Sequence, residues 1–214
     1  MSLRQRLGWA LVAVAAVAAL VVTALVAGHT NVGTTADEGL RDWLLNTLPE
    51  WLRQGLDRLA RPLVIVAVAP PVCVLALLAL VRRGWRRAVA GVFIPAASIL
   101  VTLELRGRDT FGMGGDAFPS NHAAAGLGLL VGLAVLWPRP ATRRGLTALT
   151  IATLVVGLGN VTWYAHQPRD VLGSAWIVIA VAAAAFAALG GDSPNLARRR
   201  DPAVRHDTNA ARSR

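Results

Sequence analysis

Residues 8–28 read GWALVAVAAVAALVVTALVAG, without one charged side chain. The hydrocarbon core of a bilayer is about 30 Å thick and takes about 20 apolar residues of helix to cross. A helix suits that medium because it satisfies its own N–H and C=O groups where no water can. The stretch therefore predicts a membrane span. Arg4 and Arg6 ahead of an apolar run would also suit a signal peptide. The run is longer than an ordinary signal core and further apolar runs follow, so it is read as retained. Working outward, residues 63–81, 88–105, 120–137, 146–165 and 171–190 supply five more candidate spans. The third and fourth are short, and Pro70-Pro71 in the second predicts a kink. The expected fold class is all-α: a polytopic membrane protein with six transmembrane helices and an amphipathic interfacial segment between the first two.

Composition agrees. Of 214 residues, 55% are hydrophobic and 16% charged, where a soluble domain carries about a quarter charged residues. With mean hydropathy at +0.51, a water-soluble globule and a disordered chain are both excluded. The single Cys73 excludes an internal disulfide. A net charge of +10 raises the question of nucleic acid, and the placement of the arginines answers it. Arg4, Arg6, Arg82, Arg83, Arg86, Arg87, Arg139, Arg143 and Arg144 fall on one side of the expected spans, with the tail from Arg198. The other side holds the remaining seven arginines and nine of the 12 acidic residues. Arginine bias puts the rich side in the cytoplasm, with both termini there. The partner implied is the lipid bilayer and not nucleic acid. Residues 1–191 are read as the membrane domain, and 192–214 as a basic, disordered cytoplasmic tail. Oligomeric state is not legible.

The segment from His29 to Arg61 is the longest expected outside the membrane. Leu40, Trp43, Leu44, Leu48, Trp51, Leu52, Leu56 and Leu59 recur at helical spacing with charges between them. Pro49 divides the run into two short helices. Tryptophan-bearing amphipathic helices lie in the membrane interface, as a passive anchor or as a lipid-entry element.

Two outer segments carry chemistry. One runs from Glu104 through Arg106, Arg108 and Asp109 to Pro119-Ser120-Asn121-His122; the other is His166-Gln167-Pro168-Arg169-Asp170. Ionisable residues at membrane helix ends are candidates for function. His166 and Asp170 are four apart, so a helix beginning at Pro168 puts the carboxylate on the imidazole's face. Such a carboxylate accepts the Nδ1 proton and leaves Nε2 as nucleophile or base; an ordinary structural pair reads the same way. Ser120 at a helix start offers N–H groups to an anion or is simply a cap. His122 is placed to give a proton to a leaving oxygen. Arg106 and Arg108 supply positive charge, or snorkel as interfacial arginines.

Taken together, Pro-Ser-x-His at one outer helix start and His-x3-Asp at another, 44 residues on, resemble the type 2 phosphatidic acid phosphatase (PAP2) superfamily. The resemblance covers roughly residues 62–190, and the six-span layout is similar to the bacterial membrane members. That family carries Lys-x6-Arg-Pro, Pro-Ser-Gly-His and Ser-Arg-x5-His-x3-Asp. Here Asn121 stands for the glycine of the second motif. Gly159 and Asn160 stand for Ser-Arg of the third, and Val101 and Asp109 for the Lys and Pro of the first. The resemblance implies that His166 attacks phosphorus, Asp170 holds its ring, and His122 protonates the leaving group and then activates water. It implies substrate binding by Arg106, Arg108, Ser120, Asn121 and Asn160, with no metal and no cofactor. The substrate implied is a membrane lipid phosphate or polyprenyl diphosphate, hydrolysed at the outer face. The missing cations leave open a weak or inactive member that binds anionic lipid or a partner; transfer of the phosphoryl group to an alcohol is also open.

Overall fold

A computed structural model of the chain describes residues 1–114, 118–138, 142–162 and 166–190. The expected tail, 192–214, lies outside the described residues, as do Asp116 and Arg139. The described residues are helical throughout, without a strand: α1 (Leu3–His29), α2 (Asn31–Thr47), α3 (Glu50–Arg58), a π turn (Leu59–Leu63), α4 (Val64–Val81), α5 (Trp85–Gly107), α6 (Asn121–Leu136), α7 (Arg143–Thr162) and α8 (Pro168–Leu189). Five helical stretches are long and apolar enough to cross a membrane: α1, Glu50–Val81, α5, α7 and α8. The protein is thus a polytopic helical membrane protein.

The expected fourth span is α6, and it is the short one, with 16 residues. At about 1.5 Å per residue it rises some 24 Å, less than a bilayer core. Its surroundings explain why that suffices. Every residue from Ala123 to Leu130 is buried, and α4, α5, α7 and α8 all pack on it, so α6 is the axis of the bundle and meets protein, not lipid. Between membrane helices the association comes from close packing of small residues. A Cβ on Gly132 would overlap the carbonyl oxygen of Gly91, and one on Gly128 would lie 2.9 Å from Pro95 Cα. That contact sets α5 against α6.

Helices α1 and α8 run antiparallel along their whole length. Trp9 and Phe186 meet at 5.0 Å between ring centroids near one end. Trp176 Nε1 donates to Thr23 Oγ1 at 3.1 Å further along, and Arg169 Nη1 donates to the Ala27 carbonyl at 2.9 Å near the other end. The same polarity holds elsewhere. Arg87, just after the α4–α5 turn, donates to the carbonyls of Val135 and Trp137 at the close of α6. One end of the bundle therefore gathers the start of α1, the α4–α5 turn and the close of α6 and α8. The opposite end gathers the close of α1, α5 and α7, the starts of α6 and α8, and helices α2 and α3.

The break expected at Pro49 is present, between α2 and α3. Trp43 and Trp51 are 59% and 73% exposed, on the outside of the bundle. The second span departs from expectation at its start. It does not begin afresh at residue 63 but continues from α3 through the π turn, giving one helical stretch from Glu50 to Val81. Pro62 lies inside that turn. Proline has no N–H to return to the carbonyl four residues back, and a widened turn of the helix accommodates the loss. Helix α4 carries on through Pro70 and Pro71.

Candidate active site

The site forms where the N-termini of α6 and α8 lie side by side. Ser120 caps α6, its Oγ accepting the Ala123 N–H at 3.3 Å. The Ser120 N–H itself donates to the carbonyl of Asp170 at 3.0 Å. Ser174, one turn into α8, donates its hydroxyl to the carbonyls of Ser120 and Asp170, at 2.7 and 2.9 Å. All three residues are fully buried. This three-way tie fixes the two helix starts against each other, so their positive ends converge on one place.

On that base sits the pair His166–Asp170. The ring Nδ1 lies 3.4 Å from Asp170 Oδ2, and the same oxygen accepts the Gln167 N–H at 2.8 Å. Asp170 thereby caps the start of α8, while its own N–H donates to the Gln167 carbonyl at 3.0 Å. The carboxylate is thus fixed by its helix before it touches the ring. It is wholly buried, whereas the His166 side chain keeps 15% of its surface exposed. With Nδ1 facing a carboxylate acceptor, Nε2 carries the lone pair.

His122, the second residue of α6, is exposed at the mouth. The charged groups within electrostatic reach of its ring are Arg61, His166, Arg106 and Asp57. The expected residues therefore divide. His122, His166, Asp170, Ser120 and Arg106 come together. Asn121 adjoins them, half-buried, with its Oδ1 unpaired. Arg108 turns outward, 76% exposed, and pairs with Glu104 on its own helix. Asn160 is fully buried, and its Nδ2 donates to the Val156 carbonyl at 2.8 Å within α7.

Four residues not singled out by sequence reasoning belong to this end. Ser174 ties the helix starts as described. Asp37, on α2, accepts the Arg169 N–H at 2.8 Å and lies 3.5 Å from Arg169 Nη1; burial raises its carboxyl pKa above 3.8, against the opposing pull of Arg169. Arg61, in the π turn, pairs through Nε with Asp57 at 3.3 Å, and both side chains are largely buried. A signal for the last pair stood in the sequence: Arg53, Asp57 and Arg61 are spaced four apart on one helical line.

The arrangement offers a ring nitrogen beside a carboxylate, a second histidine at the opening, and Arg61 and Arg106 within electrostatic reach of it. Converging helix starts with arginines beside them suit an anionic ligand. The chain belongs to the PAP2 superfamily, whose family model matches residues 6–192. Members of that superfamily are generally phosphatases. No curated protein and no solved structure matches the chain.

Proposed function

We propose that the protein hydrolyses a membrane lipid phosphate or polyprenyl diphosphate through a phosphohistidine. The observation that carries this reading is the His166–Asp170 pair, set beside His122 under two convergent helix starts. His166 Nε2 attacks phosphorus and the bond to the leaving oxygen breaks. His122 gives that oxygen its proton, then takes one from the water that cleaves the N–P bond. Asp170 holds the ring and stabilises its positive charge, as an orienting carboxylate does in a hydrolase triad. Arg106 and the N–H groups following Ser120 stabilise charge on the transferring group, where fixed donors contribute most.

Residues 1–191 make up the catalytic membrane unit, and 192–214 a basic tail. The arginine-rich end, with Arg4, Arg6, Arg82, Arg83, Arg86 and Arg87, faces the cytoplasm, which turns the site outward. At that level lipid phosphates lie. A lipid chain holds its head group near the site, reducing the association cost the enzyme must offset. The exposed Trp43 and Trp51 on α2 and α3 lie at the same interface.

The test is phosphate release by the purified protein from a panel of long-chain lipid phosphates and diphosphates, with chelator present. Release that survives EDTA and vanishes in His166→Ala supports the reading. Tight lipid phosphate binding without release by the native chain would establish the binding-only alternative instead, and label passing to an added alcohol would establish the transferase.

A further inference from the structure

The third motif lacks its arginine, since Asn160 occupies the place and is engaged within its own helix. We propose that Arg61, delivered by the π turn from another helix, is the cation that binds the substrate phosphoryl group in its stead. The inference rests on the phosphatase reading of the site and adds to it a ligand outside all three motifs.

The packing makes the case. The π turn lies against α7 and α6. At the contact a Cβ on Gly159 would overlap both the Leu56 carbonyl oxygen and the Ala60 Cβ. Only glycine allows that approach, so the serine of the family pattern has no room at 159. Gly159 precedes Asn160 in α7, just as Ala60 precedes Arg61 in the π turn. The two departures from the motif thus lie at one contact, where the π turn packs on α7 and carries Arg61.

The charge count agrees. Arg61 and Arg106 lie within electrostatic reach of the His122 ring, with Asp57 acting in the opposite sense. A guanidinium at 15% exposure is costly to keep at a membrane interface unless its charge is used. Asp57 Oδ1 lies 3.3 Å from Arg61 Nε in an ion pair one helical turn away; Asp57 is a positioning residue.

The experiment uses the full-length protein in detergent, with inorganic phosphate and orthovanadate as binding probes and a long-chain lipid phosphate as substrate. Arg61→Ala and Arg61→Gln should each weaken phosphate binding and lower kcat/KM by about tenfold or more, the loss of one charge-assisted contact. The glutamine keeps the length of the side chain and guards against a folding defect. Adding Asn160→Arg to Arg61→Ala should restore at least half of the lost binding, while Asn160→Arg alone should give no gain. Arg61→Gln with native binding and turnover would overturn the inference while leaving His166-dependent hydrolysis intact. Loss of phosphate binding in Arg61→Gln, in a chain that binds phosphate but never releases it from lipid, would uphold the inference and defeat the hydrolase reading. A native chain that binds neither probe would defeat both.

Discussion

One oxygen of Asp170 meets both the Gln167 N–H at 2.8 Å and the His166 Nδ1 at 3.4 Å. The helix cap and the orientation of the His166 ring therefore share an atom. Asp170→Asn retains an oxygen to accept one of these contacts but loses the charge that stabilises a positive ring. It should lower kcat by about a hundredfold or more with the thermal midpoint shifted by only a few degrees, whereas His166→Ala should abolish turnover. Steady-state kinetics and thermal unfolding in detergent separate the two effects. Ser174→Ala removes a buried hydroxyl that serves two carbonyls and should cost about 1–3 kcal/mol of stability. The same substitution should lower kcat, because the helix starts carrying Ser120 and Asp170 are no longer tied. Arg106→Ala should reduce kcat/KM by at least tenfold, and Arg108→Ala by far less, since Arg108 is exposed and paired with Glu104. What sequence revealed at this scale was what lies within one helical turn: His166 with Asp170, and Ser120 with His122. Asp37 meets Arg169 from 132 residues away and Ser174 meets Ser120 from 54. No periodicity encodes such contacts, because they depend on how whole helices dock.

At the scale of the element, α2 is held to the start of α8 by Asp37, whose carboxyl titrates above its ordinary 3.8 because it is buried. Between that value and the raised one, the folded chain binds more protons than the unfolded chain. Stability contributed by this group therefore falls as pH rises through that window, and the loss persists above it. Asp37→Asn, which keeps an acceptor for the Arg169 N–H, should flatten this part of the dependence. Thermal midpoints of both proteins across the acidic range check it, and parallel curves would contradict the assignment. The π turn gives a second case. Gly159→Ala would drive a methyl group into the Leu56 carbonyl and Ala60, and overpacking of this kind costs about 1–3 kcal/mol. It should displace Arg61 and weaken phosphate binding along with stability. Sequence divided α2 from α3 correctly at Pro49 but separated α3 from α4. Leu59 to Leu63 is a place where a proline widens a helix instead of ending it, and a tally of apolar residues does not distinguish those outcomes. The fourth span was legible as apolar but not as the axis. Its short length is permitted only by the helices around it.

Across the whole molecule, antiparallel α1 and α8 and the Arg87 contacts at the close of α6 assign every described turn to one end or the other. The active-site end carries α2, α3 and the Asp109–Gly112 turn. The arginine bias then predicts the sides. In a Cys73→Ser background, Thr110→Cys should react with an impermeant maleimide added to intact cells, and Arg86→Cys should not. Labelling of both or neither from outside would remove the outward-facing site. A substrate held by its chains should also be preferred: equal kcat/KM for a long-chain lipid phosphate and its short, soluble analogue would contradict the lipid assignment. The central claim is a covalent one, that phosphorus passes through His166. Rapid quenching of the purified protein with a lipid phosphate labelled on phosphorus should trap label that is stable to base, lost in acid, and located by peptide mapping on His166. Label on another residue, or turnover with no labelled protein in native enzyme and in a His122→Ala variant that slows the second step, would contradict it.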